Sequence, residues 1–209
     1  MTMTRFPTLP PHVPSRGSKL SRSFFKQLFL AQGWRIEGEF PDLPKAVAII
    51  SPHTSNIDAW LGFNALLGLG IQITIFGKDS LFRTPLKPIL EWVGVVPVVR
   101  SSAQGQTRQI VEIIEQSEQI WIGMAPEGSR KAPEKIRSGF YYIAQEAQLP
   151  IVMFSFDYDL KTIHILGVYH LTGDYEYDLE QIYQHYTGKF SAKNPAWVAK
   201  PLQKLLKKD

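Results

Sequence analysis

The sequence predicts an α/β fold, a single domain with a mixed, mostly parallel sheet flanked by helices. Three observations lead there. Short apolar or β-branched runs stopped by Pro, Gly or charge recur along the chain: KAVAIISP, IQITIFG, VGVVPVVR, QIWIGM and PIVMFSFDY. Segments with helical apolar spacing separate most of them, and strands alternating with helices imply parallel crossovers. A turn at residues 157–159 then leads into KTIHILGVY, an antiparallel hairpin partner that makes the sheet mixed.

Taken in order, residues 1–17 carry four prolines and two basic residues with no continuous apolar core, and read as a flexible leader. The domain is expected over residues 18–209. It opens with an amphipathic helix at about 19–32, where Leu20, Phe24, Phe25, Leu28 and Phe29 alternate with Lys19, Arg22 and Lys26, and Gly33 closes it. KAVAIISP is a buried strand stopped by Pro52, and IDAWLGFNALLGLG a helix ending in glycines. After the strand at 71–77, LFRTPLKPILEWVG is a helix or loop punctuated by proline. The strand at 93–100 precedes a helix at 104–116, a strand at 119–124 and a helix at FYYIAQEA. No repeat, low-complexity tract or interdomain linker interrupts the chain.

The 209 residues suit one core, and 44% hydrophobic with 20% charged residues argues against disorder outside the termini. Cysteine is absent, which excludes disulfides, a thiolate nucleophile and cysteine-ligated zinc, and suits a reducing cytosol. The formal charge of +4 favours anionic partners. For nucleic acid that charge is the whole case, with no recognised motif or aromatic-studded basic stripe, so no nucleic-acid partner is expected. No run approaches the roughly 18 apolar residues that span a bilayer, so any membrane contact is peripheral.

Two motifs carry chemistry. SPHTSNID follows a strand directly, where ligands gather in open α/β sheets. On a continuous helix His53 and Asp58 would stand about 140° apart, from the roughly 100° step. They meet if residues 54–56 form a turn that opens a helix with Asp58 in its first turn. Asp58 then holds one imidazole nitrogen and leaves the other as a general base. Ser55-x-x-Asp58 equally matches a capping box, which accounts for Asp58 without any chemistry.

The second motif is APEGSR, again directly after a strand. Pro126 and Gly128 force a turn whose amides can face an anion, Ser129 adds a hydroxyl and Arg130 offers a fork suited to phosphate. Glu127 either fixes its neighbours or orients an acceptor. An ordinary surface turn with exposed Glu and Arg fits the same letters. Lys78 and Arg100 close two further strands, as phosphate ligands or as solvated strand ends.

Read in order, HTSNID, FGKDSLF with GVVPVVR, APEGSR and LPIVMFSFDY resemble the four blocks of the glycerolipid acyltransferases, over residues 33–167. These are the 1-acyl-glycerol-3-phosphate (lysophosphatidate) acyltransferases and their relatives, and the tail GDYEYDLEQIYQHY is similar to compact bacterial members without an obvious transmembrane segment. The resemblance implies a glycerol-3-phosphate acyltransferase-like fold, with His53 the catalytic base and Asp58 its partner from the H-x-x-x-x-D block. Glu127, Gly128, Ser129 and Arg130 match the E-G-[TS]-R block that binds the acceptor's glycerol phosphate. Arg100 matches the basic residue closing the second block, and Pro150 begins an apolar block near the acyl chain. Ala125 stands where the family usually has Phe, and Ser129 where it usually has Thr.

The expected reaction moves an acyl group from acyl-CoA or acyl carrier protein to a lysophospholipid hydroxyl. No acyl-enzyme is expected, since neither cysteine nor a G-x-S-x-G elbow is present. No cofactor or metal is expected either, because His53 and Asp58 lack further ligands at metal spacing. A thioesterase using the same pair and a non-catalytic lipid-binding module are the rival readings. Acyl chains imply a cytoplasmic protein peripheral to an anionic membrane, with the helix near residues 19–32 and the stretch AWVAKPLQKLLKKD as contact candidates.

Overall fold

The computed structural model describes residues 6–85, 87–98 and 103–206. In chain order its elements begin α1 (Lys19–Ala31), β1 (Arg35–Glu37), β2 (Lys45–Ser51), α2 (Asn56–Leu69) and β3 (Ile73–Lys78). After a 3-10 turn at Asp79–Arg83 come α3 (Lys87–Trp92), β4 (Val95–Val98), α4 (Ala103–Gln116), β5 (Ile120–Met124) and α5 (Gly139–Glu146). β6 (Ile151–Asp157), β7 (Thr162–Tyr169), α6 (Tyr175–Tyr186) and α7 (Lys200–Gln203) complete it. The strands form one seven-stranded sheet in the order β1-β7-β6-β2-β5-β3-β4. β6 and β7 pair antiparallel and the other neighbours are parallel. The mixed, mostly parallel α/β architecture is therefore present.

Alternation along the strands divides the core in two. Val47 and Ile49 of β2, Ile120 and Ile122 of β5 and Ile151 and Met153 of β6 face α4, α5, α6 and α7. Ala46, Ala48, Trp121, Val152, Phe154 and Phe156 face α1 and α2. With both faces covered, β6 is buried along its whole length, which explains why residues 151–154 are apolar without alternation; Ser155 and Asp157 are buried with them. β4 lies at the sheet edge, where Pro97 forfeits no ladder bond to a further strand.

α2 is apolar around its circumference because it lies between the sheet and α1. Gly68 permits that contact: a Cβ there would stand 2.8 Å from the Lys26 amide nitrogen. α1 starts at Ser18, whose hydroxyl accepts from the Ser21 amide at 3.2 Å. It buries Phe29 against α2 and leaves Leu20 and Phe24 in solvent.

Two segments depart from expectation. Residues 6–17 are docked on the domain, not loose. Phe6 meets Phe29 edge-on, and the backbone bonds Arg16 N to Gly70 O at 2.7 Å and Gln72 N to Pro14 O at 2.8 Å. Isolated apolar residues in a proline-rich stretch carry no periodicity, so this docking leaves no pattern to read. The C-terminal stretch, expected as a membrane contact, buries Val198, Ala199 and Leu202 in the core and leaves Trp197 exposed, so part of its apolar stripe packs on its own domain.

Candidate active site

Parallel pairing puts the C-terminal ends of β2, β3, β4, β5 and β6 on one edge of the sheet. β2 lies between β5 and β6. The turn after β2, which carries His53, is thereby flanked by the segment after β5, which carries residues 125–130, and by Tyr158 after β6.

The turn that joins His53 to Asp58 forms as the spacing requires. Ser55 caps α2 with its hydroxyl on Ile57 N at 3.1 Å, and Asp58 Oδ2 accepts from Ser55 N at 2.7 Å and Thr54 N at 2.6 Å. The capping box is real. The same Oδ2 lies 3.5 Å from His53 Nδ1, at the outer limit of a hydrogen bond, as is common before substrate binds. Asp58 is thus cap and imidazole partner at once. Its other oxygen, Oδ1, accepts from the Tyr158 hydroxyl. Tyr158 is braced by Trp34, whose ring stands at 85° to it with centroids 5.0 Å apart. Burial and the adjacent carboxylate push the Tyr158 hydroxyl far above its ordinary range, so it stays a donor.

Burial holds the His53 imidazole below its ordinary pKa. Asp58 opposes the shift and the Arg130 cation adds to it. The side chain is one-fifth exposed, and its free nitrogen, Nε2, accepts from Arg130 Nε at 3.2 Å. Arg130 Nη1 also donates to Asn56 Oδ1. The neutral ring therefore presents a lone pair outward, currently facing a guanidinium.

His53 and Ala125 border two cavities. One, of about 430 Å³, is completed by Gly128, Ser129, Arg130 and Lys131 and is cationic. The other, of about 270 Å³, runs between α2 and the sheet and is apolar, with Phe63, Leu66, Phe154 and Phe156 among its walls. It exists because Ala48, Ala59, Gly62, Ala65 and Gly123 are small where sheet and helix face each other. With Ala125 in place of the family's usual Phe, both cavities reach His53 past a methyl group.

Glu127 does not stand with Arg130. It is 2% exposed and turned beneath the loop after β2, with Oε1 accepting from Ser51 Oγ at 2.6 Å and His53 N at 3.1 Å. Of the two roles open to it, it fixes its neighbours, and it is not among the residues lining the cationic cavity. Gly128 turns the chain at φ +60°, and Arg137 packs so close that a Cβ would stand 2.3 Å from its side chain. Lys78 closes β3 on the same sheet edge, and Arg100 lies outside the described residues. Tyr158, Asn56, Ser51 and Lys131 were not singled out from sequence. For Tyr158 the available signal was an aromatic immediately after a strand, at the edge where site residues gather.

The acyltransferase family model matches residues 36–157, more than half of the chain; the span holds His53, Asp58 and residues 125–130 and ends one residue before Tyr158. The chain belongs to the acyltransferase family. Among solved structures, the acyltransferase resembles the 1-acyl-sn-glycerophosphate (LPA) acyltransferase PlsC from Thermotoga maritima, at 16% identity and a TM-score of 0.55. The match covers 83% of this chain and 81% of that one, and shows a common fold. No curated protein sequence matches the acyltransferase.

Proposed function

We propose that the enzyme transfers a fatty acyl group from an acyl thioester to the hydroxyl of a lysophospholipid, 1-acyl-glycerol-3-phosphate first among them, by general-base catalysis at His53. The observation that carries this reading is the position of His53 where an apolar and a cationic cavity meet. An acyl chain suits the first and a phosphate the second. The fold shared with the Thermotoga maritima enzyme supports the choice of acceptor.

In this mechanism His53 Nε2 removes the acceptor's hydroxyl proton as that oxygen attacks the thioester carbonyl. The tetrahedral adduct then collapses, the C–S bond breaks and the thiolate leaves, taking up a proton as the ester is released. Asp58, pinned by Tyr158 and two backbone amides, holds the ring and balances the imidazolium. Arg130 binds the phosphate, with Gly128, Ser129 and Lys131 around it. Engaging the phosphate draws the guanidinium off Nε2 and frees the lone pair, so an acceptor with phosphate readies its own base. The deciding experiment is an assay of the purified protein against a panel of lysolipids with acyl-CoA and acyl carrier protein as donors. The expected product is diacyl phospholipid; fatty acid released without need of an acceptor would instead indicate a thioesterase.

We also propose that the enzyme works as a cytoplasmic protein at a membrane surface. No helix among the described residues is long and apolar enough to cross a bilayer. Leu20 and Phe24 of α1 are 84% and 63% exposed, and Ile57 and Trp60 of α2, the helix that roofs the apolar cavity, are also exposed. Lys19 on α1 is exposed beside them and suits anionic headgroups, whereas Arg22 turns inward to donate to Arg16 O at 2.8 Å. Changing both Leu20 and Phe24 to Glu is expected to abolish flotation with phosphatidylglycerol vesicles while leaving the melting temperature within a few degrees, since exposed positions shift stability by about 0.5 kcal/mol or less. Unchanged flotation would remove α1 from the contact.

A further inference from the structure

Glu127 is a buried ionisable group whose protonation state the acyl-transfer reading leaves open. The two donors from the neighbouring turn, Ser51 Oγ and His53 N, converge on one oxygen, Oε1, and the residue's own amide also faces the carboxyl group. The other, Oε2, is buried and has no hydrogen-bond partner among the described residues. A neutral acid suits this arrangement better than a carboxylate: its carbonyl oxygen accepts twice, and its Oε2 hydroxyl, without an acceptor among the described residues, at least carries no charge. An ionised carboxylate in the same place would keep a charged oxygen buried with no donor, at a large desolvation cost.

Among the described residues no cation forms an ion pair with Glu127. Arg130 donates to His53 and Asn56 instead, and the Arg137 side chain packs against Gly128. The ionisable groups in electrostatic reach are Asp58 on the turn after β2 and Tyr183 and Tyr186 on α6; His53 reaches Glu127 through its backbone amide alone. The Asp58 carboxylate disfavours a second negative charge. Tyr186 Oη is itself buried and without a hydrogen-bond partner among the described residues. Burial pushes the Glu127 carboxyl up to about 7.

We propose that Glu127 is a positioning residue that works as a neutral acid: with its proton on Oε2 it locks Ser51 and the His53 amide, and losing that proton unseats the imidazole. Glu127 touches no substrate and acts through His53, so the proposal rests on His53 being the general base. It adds an alkaline limb to the pH profile that belongs to neither His53 nor the acceptor. Stability follows the same linkage. The folded-state pKa is raised, so this contribution is complete below the ordinary carboxylate range and is lost as pH rises through about 7.

The test compares wild type, Glu127→Gln and Glu127→Ala. Glu127→Gln, which copies the neutral acid, is expected to keep kcat at least about tenfold above Glu127→Ala, the scale set by leaving buried donors unsatisfied. Its activity and melting temperature should no longer fall on the alkaline side. Infrared difference spectra of wild type titrated across neutrality should show a protonated-carboxyl band that disappears at high pH and is missing in Glu127→Gln. Glu127→Gln falling to the level of Glu127→Ala with a native circular dichroism spectrum, or no such band in wild type, would overturn the proposal. The infrared band needs no turnover, so a protein inactive on every lysolipid would defeat the acyl-transfer reading and still leave the acid itself testable.

Discussion

His53→Ala is expected to lower kcat/KM for acyl transfer about a thousandfold or more, within the range that positioned general bases supply. Of its described neighbours, Tyr158 is fixed as a donor to Asp58 and Arg130 is a permanent cation, so neither can take its place. The fold should survive, because the ring is part of neither core cluster and its backbone amide keeps its bond to Glu127 after truncation. Circular dichroism and thermal melts check this, and undiminished turnover in a folded His53→Ala protein would refute the assignment. Asp58→Asn should separate the residue's two roles. Asn remains an acceptable cap but loses the charge that steadies the imidazolium. Burial already holds the His53 pKa low while the Asp58 carboxylate raises it. The acid limb of the wild-type profile should therefore lie below the ordinary imidazole range, and in Asp58→Asn it should move further toward acid, with kcat reduced.

Much of this was legible from residue order. The apolar runs identified most of the strands, the block order identified the family, and the turn between His53 and Asp58 followed from helical geometry. The bland and the functional readings of Asp58 proved compatible, because one carboxylate oxygen serves the α2 cap and faces the ring. The remainder depended on strand order, which no local pattern encodes. Glu127 in a Pro-Glu-Gly turn looks exposed, and only the adjacency of β2 and β5 turns it under the neighbouring loop. Tyr158 lies 100 residues from Asp58 in the chain, and the meeting requires β6 to lie beside β2. The C-terminal stretch has the alternation of a membrane-surface helix and spends part of it on the core, since an amphipathic pattern records that a face is buried but not against what.

Arg130→Ala is expected to raise KM for lysophosphatidate about a hundredfold, the scale of lost hydrogen bonds to a charged group. A simple loss of affinity is not the whole expectation. In the free enzyme the Arg130 guanidinium donates to His53 Nε2, the atom proposed to accept the substrate's proton. An acceptor that engages the arginine thus gains its binding site and a free base together, whereas an acceptor without phosphate leaves the base covered. Removing the side chain exposes the base to any hydroxyl. Arg130→Ala should therefore lose far more with lysophosphatidate than with the corresponding monoacylglycerol, and donor hydrolysis by water should rise relative to transfer. The Arg130 cation also contributes to holding the His53 pKa down, so the acid limb should shift toward neutrality in the variant. Arg130→Lys restores the charge without the planar fork and should recover only part of the loss. Steady-state kinetics with both acceptors, beside a fatty-acid release assay, measure each arm. Equal losses for the phosphate-bearing and phosphate-free acceptors would mean that Arg130 neither binds the phosphate nor guards the base, and would return it to the role of an ordinary surface cation.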